Sequence, residues 1–388
     1  MADAQTIEAI AARARETGQL AIDTEFVGEG RYLTELCLVQ VAVRSDDRGP
    51  DRVELIDPIE GDGPVEPLAD VLADPGVEIV LHAGRQDIAL LKRCWETAVT
   101  NVFDTQVAAA FAGMRAQIGY EPMLGSLLGL KLPKGAGFTH WDRRPLSGEQ
   151  LDYARADVLH LLDAADALKA RLTESGRAEW VAEECLPLEE SSDLRDPRAM
   201  LDKLPKAGSL DPGDRAVALA LLEWRDGVAE RENRPPSKVV PDAAIAEIAR
   251  RAPTSREQLD QIRGLHEGIL RRRGRAIVEA VEIGLEAEPV PRGPRRTPAT
   301  DGSDAALIVV CESLVRARAA DTGLAYELLA SRADLQAVIN AFRDGESPPG
   351  VRTLEGWRRG VVGDELLLML SGRRSLRVDD QLRVVVEE

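Results

Sequence analysis

The sequence is poor in cysteine and in aromatic side chains. Its 388 residues include only four cysteines, Cys37, Cys94, Cys185 and Cys311, and none of them belongs to a CxxC pair. Scattered thiols in a long chain indicate a reducing compartment rather than a disulfide framework. Aromatic residues make up 4% of the chain, so alanine, leucine and valine must supply most of the hydrophobic core.

Long apolar runs are also missing. The first 18 residues have the pattern of an amphipathic helix with charges throughout, and they contain no apolar stretch of signal-peptide length. No segment approaches the length of a membrane span. We therefore expect a cytoplasmic protein that does not bind a membrane.

Positive charge is scarce as well. The formal net charge is −18, which at face value argues against a non-specific nucleic-acid binder. That argument is weak because local charge matters more than the sum. Basic residues cluster at Arg271, Arg272, Arg273 and Arg275, and again around the "NRPPSK" break at 233–238.

The chain is long enough for two or three domains. Residues 1–175 alternate strand patterns, at 18–26, 35–43, 51–58 and 77–83, with helix patterns, which predicts an α/β domain. One long helix is predicted over 147–172, opened by a capping box of Ser147 and Gln150. Beyond about 190 two helical sets share one layout, at 208–288 and 304–388. A linker rich in proline and charge, 289–303, separates them.

Two carboxylates lie in the first predicted strand. Asp23 and Glu25 are two residues apart and therefore point to the same face. A solvated strand face is one interpretation, and the apolar neighbours Ala21, Ile22 and Phe26 favour a core position instead. Half-buried carboxylates require a positive partner.

Further acids and a tyrosine follow at helix positions. Asp87 lies one turn into a helix that starts after a strand, where it could merely complement the helix dipole. Tyr153 and Asp157 are four residues apart and share a helix face. Gathered together, these carboxylates suit Mg²⁺ or Mn²⁺ ions, and a pair of such ions promotes in-line attack on phosphodiesters. The sequence therefore predicts a divalent metal as the missing positive partner.

Four motifs carry a family resemblance. "DTEF", "HAGRQD", "FDTQVAAAF" and "RRPLSGEQLDYARADV" resemble, in order and spacing through residues 20–165, the exonuclease motifs of the ribonuclease D family. That family belongs to the tyrosine subclass of the DEDD exonucleases. "LLEWRDGVAERENRPPSKVVPDAAI" resembles its first HRDC domain, and the second helical set resembles a second HRDC domain less closely. The resemblance implies an α/β ribonuclease H-like exonuclease domain followed by all-α helical HRDC domains.

The resemblance also implies roles for the site residues. Asp23 would bridge two metal ions, Glu25 and Asp157 would complete the tighter site, and Asp87 would hold the second ion partly through water. Tyr153 would orient the attacking water. Since a tyrosine with an ordinary pKa is a poor base at neutral pH, activation of that water must come mainly from the metals.

Candidate RNA contacts lie around these motifs: Phe26, Tyr120, Lys134, His140, Arg143 and Arg144. The two aromatic rings could stack on the terminal bases, with core packing as the alternative. The four basic side chains could reach phosphates from a glycine-containing loop, and the two arginines could instead pair with neighbouring acids. Asp104, in "FDTQ", fits a helix cap or a buried structural acid better than a metal ligand.

These residues together predict a metal-dependent 3′→5′ exoribonuclease. By resemblance it would trim the 3′ ends of tRNA precursors and other structured RNAs and release nucleoside 5′-monophosphates. A DNA-directed 3′→5′ exonuclease and a non-catalytic RNA-binding adaptor are the alternatives, and the complete set of carboxylates counts against the adaptor. Because the N-terminal domain carries every proposed ligand, we expect cleavage to survive removal of residues from about 205 onward.

Overall fold

The computed structural model describes residues 1–45, 49–61, 63–132, 140–292, 304–345 and 350–387. The chain divides into two compact units. The first unit comprises Met1–Glu25, Leu36–Ser192 and Arg296–Glu388, and the second comprises Phe26–Glu35 and Asp193–Arg295. The residues after the predicted linker thus group with the predicted α/β domain. Across the described ranges, no helix is long and apolar enough to cross a membrane.

The first unit is built on a mixed sheet of five strands in the order β3-β2-β1-β4-β5. The strands are β1 (Gln19–Val27), β2 (Glu35–Val43), β3 (Arg52–Ile56), β4 (Glu78–Leu81) and β5 (Val102–Asp104). β4 runs parallel to both β1 and β5, whereas β2 and β3 are antiparallel. β2 is buried along almost its whole length, as expected of a strand inside the sheet. The four strands predicted before residue 84 are confirmed.

Eight helices accompany this sheet in the described part of residues 1–192: α1 (Ala4–Thr17), α2 (Glu66–Leu72), α3 (Arg85–Cys94), α4 (Thr105–Phe111), α5 (Tyr120–Leu128), α6 (Gly148–Leu159), α7 (Leu161–Glu174) and α8 (Ala178–Glu189). The capping box of Ser147 and Gln150 opens α6 as predicted. The single helix predicted over 147–172 is wrong, because the backbone at His160 leaves helical geometry and divides it into α6 and α7.

The second unit is helical. It contains α9 (Pro197–Leu201), α10 (Pro212–Arg231), α11 (Pro236–Val239), α12 (Asp242–Arg251), α13 (Arg256–Leu259) and α14 (Glu267–Glu286). α10 and α14 approach so closely that a Cβ atom at Gly284 would lie 2.4 Å from the Cα of Val217, so only glycine fits there. The segment Phe26–Glu35 belongs to this unit through Tyr32, whose hydroxyl donates to Asp226 over 2.5 Å.

Residues 304–387 form the last part of the first unit. Its elements are α15 (Asp304–Thr322), α16 (Tyr326–Leu329), α17 (Arg332–Asp344), α18 (Gly356–Arg358), a π-helical turn (Arg359–Gly363), α19 (Asp364–Leu370) and the hairpin strands β6 (Ser375–Val378) and β7 (Val384–Glu387). The antiparallel hairpin is an addition to the all-α expectation for this region. The domain limits 208–288 and 304–388 stay predictions.

An aromatic cluster joins this C-terminal region to α8 inside the first unit. The Trp357 ring stacks on that of Trp180 with a centroid distance of 5.0 Å, and it meets the ring of Phe111 edge-on, also at 5.0 Å. The Trp357 indole N–H donates to Glu184 over 3.0 Å, and the Arg358 guanidinium pairs with the same carboxylate. Both parts contribute to one hydrophobic core, so they stabilise each other.

Replacement of Trp357 by alanine tests this shared core. Trp357 is only 6% exposed, so Trp357→Ala leaves a large cavity and should lower the free energy of unfolding by about 3 to 5 kcal/mol. Urea unfolding followed by circular dichroism measures the change. Leu382→Ala is the control, because Leu382 is 87% exposed and its removal should leave the transition unchanged. An unaltered midpoint for Trp357→Ala would contradict the shared core.

Candidate active site

Three carboxylates converge at the sheet. Asp23 and Glu25 project from β1, and Asp157 projects from α6. One oxygen from each lies within 4.8 Å of the others, and all three residues are partly buried. Oxygen atoms at this spacing form a group that could hold a hard divalent cation. The convergence predicted from the strand and helix patterns is therefore present in the structure.

Asp87 lies in the first turn of α3 and is 7% exposed. Its negative charge acts on Asp23, so it belongs to the same electrostatic cluster. The hydroxyl of Thr24, which is also buried, donates a hydrogen bond to one Asp87 oxygen. Sequence reasoning missed Thr24, although a hydroxyl placed between two strand carboxylates must find a partner once it is buried.

Asp104 holds the turn that leads into α3. Its carboxylate accepts the amide N–H groups of Ala83 at 3.0 Å and Gly84 at 2.9 Å, and it also caps α4 through the amide of Gln106 at 2.8 Å. Ala83 has a positive φ of 57°, a strained conformation for a residue with a Cβ atom. The prediction that Asp104 is a cap and buried structural acid is confirmed. It fixes the start of the helix that carries Asp87.

Tyr153 lies next to the carboxylate group. Its hydroxyl donates to Asp157, one helical turn away on α6. Burial, followed by the charges of Asp157 and Glu25, raises the pKa of Tyr153 above its ordinary value. Because a raised pKa keeps the phenol protonated at neutral pH, the side chain is suited to donate a hydrogen bond and unsuited to accept a proton.

The electrostatics of the cluster favour a cation. Burial, and then the neighbouring charges of Asp157 and Asp87, raise the pKa of Glu25 to about 8. Burial likewise raises the pKa of Asp157 to about 7, against the hydrogen bond from Tyr153. Burial and three surrounding carboxylates raise the pKa of Asp23 well above its ordinary value. A divalent ion would reverse these shifts by stabilising the ionised forms, so the donor set fits a metal.

The structure distributes the candidate RNA contacts unevenly. Tyr120, at the start of α5, packs on His82 with ring centroids 5.5 Å apart, and burial followed by the charge of Asp157 raises its pKa. His140 and Arg143 are exposed, and Phe26 is partly buried. Lys134 lies outside the described residues. RNA contact by any of them stays a prediction.

Arg144 adopts the arrangement weighed as the alternative to phosphate binding. Its guanidinium forms an ion pair with the carboxylate of Asp57, at 2.5 Å from Nε to Oδ2. Trp141, three residues earlier, is 6% exposed, and its ring centroid lies 6.2 Å from that of Tyr153. The sequence did not identify Asp57 as the partner, since it lies 87 positions from Arg144, and the contact between Trp141 and Tyr153 was not predicted either.

Arginines of the predicted basic clusters in the second unit differ in their exposure. Arg225 is buried and donates to Asp242 over 2.5 Å, and Arg273 is buried and donates to Glu232 over 2.7 Å. These two side chains stabilise the helical unit. Arg231, Arg271, Arg272 and Arg275 are exposed and remain accessible to RNA.

Comparison with known proteins agrees with this geometry. Residues 1–173 match the family model described as 3′-5′ exonuclease, and residues 214–281 match the HRDC domain model. The chain is 35% identical to ribonuclease D of Granulibacter bethesdensis over 97% of its own length and 93% of that protein. It is 34% identical to ribonuclease D of a Jannaschia species over 98% of its own length and 97% of that protein.

Solved structures show the same likeness. The crystal structure of Escherichia coli RNase D matches with a TM-score of 0.81 and 25% identity, over 95% of this chain and 98% of that one. The catalytic core of RRP6 from Trypanosoma brucei shares the fold over 72% of this chain and 77% of that one, with a TM-score of 0.52 and 23% identity. Full-length relatedness, together with the converging carboxylates, establishes that the chain belongs to the ribonuclease D family and is a 3′→5′ exoribonuclease.

Proposed function

We propose that this exoribonuclease trims the 3′ ends of tRNA precursors and other structured RNAs and releases nucleoside 5′-monophosphates. The observation that carries the proposal is the convergence of Asp23, Glu25 and Asp157 beside Asp87. The related E. coli enzyme is described as an exoribonuclease involved in structured RNA processing, which supports the same substrate class here.

Within this proposal the carboxylates hold two divalent ions, Mg²⁺ or Mn²⁺. Asp23 would serve both ions, Glu25 and Asp157 would hold one of them with it, and Asp87 would hold the other. Bound there, the ions would supply an acidified water and neutralise charge on the scissile phosphate. Thr24 and Asp104 have the supporting task of holding Asp87 in place, through the bonds to its carboxylate and to the start of α3.

Tyr153 has an orienting role in this proposal. Its phenol remains protonated, so it can donate to Asp157 or to a water molecule without removing a proton. The Tyr120 ring, packed on His82 near the same carboxylates, is the aromatic surface that we assign to a terminal base.

The second unit offers a surface for the RNA backbone. A groove of about 480 Å³ lies between α13 and α14, and Arg256, Arg271 and Arg275 are among the residues that line it. Exposed arginines of this kind bind phosphates and release counterions. We assign structured RNA to this groove. Arg256 and Arg275 pair with Glu267 and Glu279, but these pairs are exposed. Arg225 and Arg273 are excluded from that task because they are buried in their ion pairs.

Asp23→Asn separates catalysis from stability. The substitution keeps the size of the side chain but removes one charge from the crowded cluster, so activity should fall by orders of magnitude. In the presence of EDTA the gain in melting temperature should grow as the pH rises through about 8, where Glu25 becomes ionised, because a neutral amide relieves the repulsion between carboxylates. Asp152→Asn is the matched control, since the Asp152 side chain is 83% exposed on the same helix as Tyr153. Near-normal turnover by a folded Asp23→Asn variant would contradict the assignment of Asp23 as a metal ligand.

Tyr153→Phe tests the orienting role. The variant keeps the ring and loses only the hydroxyl that donates to Asp157, so the chemical step should slow by about 10- to 100-fold. RNA affinity, measured by filter binding with Ca²⁺ in place of the active metal, should stay unchanged. A parallel loss of affinity and rate would instead assign Tyr153 to stacking on the substrate.

The substrate class is tested with a tRNA precursor that carries a short 3′ extension. Its extension should shorten one nucleotide at a time and yield nucleoside 5′-monophosphates. A 3′-phosphate should block the reaction and a 5′ block should not, and a matched DNA strand should be degraded more slowly. Equal rates on structured and unstructured RNAs would contradict the proposed substrate class, whereas cleavage of a circular RNA would contradict exonucleolytic action itself.

A further inference from the structure

Arg144 uses every hydrogen-bond donor of its guanidinium inside the first unit. Nε donates to Asp57 Oδ2 at 2.5 Å, and Nη2 donates to Asp57 Oδ1 at 2.6 Å and to the Cys37 carbonyl at 2.7 Å. Nη1 donates to the carbonyls of Trp141 at 2.7 Å and Arg143 at 2.9 Å. A guanidinium has five N–H donors, so no donor remains for an RNA phosphate.

The carboxylate of Asp57 likewise makes several hydrogen bonds inside the protein. Asp57 is fully buried, and its Oδ1 also accepts the backbone amides of Ile59 at 2.9 Å and Glu60 at 3.1 Å. Burial works against its charge, but the bonds from Arg144 and from these two amides hold the pKa of Asp57 below its ordinary value. The pair is therefore charged and rigid.

This ion pair ties three segments together. Cys37 belongs to β2, Asp57 follows β3, and Trp141 with Arg143 belongs to the segment that leads into α6. The anchored Trp141 then places its indole against Tyr153, with ring centroids 6.2 Å apart and an interplanar angle of 38°. Arg144 is thus connected to the Tyr153 ring through the backbone and the indole of Trp141.

We propose that Arg144 is a positioning residue for Tyr153: by holding the Trp141 backbone, it fixes the indole on which the phenol rests and so aims the hydroxyl at Asp157. This inference rests on the proposed orienting role of Tyr153. Lysine cannot replace arginine here, because an ammonium group has three donors and cannot match a carboxylate in the bidentate geometry.

The test is a double-mutant cycle between Arg144→Lys and Tyr153→Phe on a short single-stranded RNA. Arg144→Lys alone should lower kcat by about 10- to 100-fold, the cost of a small misplacement, and leave KM nearly unchanged. In the Tyr153→Phe background the same substitution should have almost no further effect on kcat, because the hydroxyl that it positions is already absent. Trp141→Leu, which keeps an apolar side chain but removes the ring that packs against the phenol, should give the same pattern and serves if Arg144→Lys folds poorly.

Arg343→Lys is the matched control. Arg343 also pairs with a fully buried carboxylate, that of Asp304, at 3.0 Å from Nη1 to Oδ2, but it lies in the C-terminal part of the first unit. It should lower the melting temperature by a similar amount and leave kcat intact.

Two results would overturn the role of Arg144. Equal losses of kcat in the wild-type and Tyr153→Phe backgrounds would show that it acts independently of the phenol. A raised KM with a shallower salt dependence of binding would show that it contacts RNA directly. Full activity of Tyr153→Phe alone is a different failure: it would remove the proposed role of the phenol and, with it, the reason to position that ring.

Discussion

The structure depends on one costly arrangement, the assembly of like charges in a partly buried space. Burial and mutual repulsion both raise the pKa of Asp23, and they raise that of Glu25 to about 8. Folding alone does not favour such a cluster, because each carboxylate would be more stable in water. The cluster persists because rigid neighbours hold it, and a cation bound to the folded state would repay the cost through linkage. Such a site destabilises the folded protein when no cation is bound, and the same repulsion between carboxylates favours cation binding.

Buried polar anchors, each outside the carboxylate group, provide that rigidity. Thr24 donates a hydrogen bond to Asp87, and Asp104 accepts one from the amide of Ala83 in the strained turn. Arg144 donates to the Trp141 carbonyl and so fixes the segment that precedes α6. Each anchor joins segments far apart in sequence, and Asp104 and Arg144 do so through several hydrogen bonds. A buried polar network whose hydrogen bonds are all made specifies one arrangement of its side chains. An apolar core of the same volume specifies its arrangement less strictly. The precision of the site therefore originates in side chains that do not touch the substrate.

The predictable features were those encoded locally. Strand alternation placed Asp23 and Glu25 on one face, helical spacing paired Tyr153 with Asp157, and the capping box located the start of α6. The break at His160, the ion pair of Arg144 with Asp57 and the stacking of Trp357 on Trp180 were not predictable in this way. The ion pair and the stacked rings arise from tertiary contacts across tens or hundreds of residues, for which periodicity carries no information. Motif resemblance selected the same carboxylates that converge in the structure, because their spacing along the chain is itself the pattern.

The shared core of the first unit changes how the helical regions should be studied. The expectation that cleavage survives loss of everything from about 205 onward treats those regions as appendages. Trp357 and Arg358 instead cover Trp180 and Glu184, so the truncation would expose a core surface and leave the Glu184 carboxylate without its buried arginine. Loss of activity after truncation would then report lost stability as much as lost RNA binding. Substitution of exposed arginines such as Arg271 and Arg272 leaves that core intact. Such variants therefore test RNA binding by the helical unit without a loss of stability.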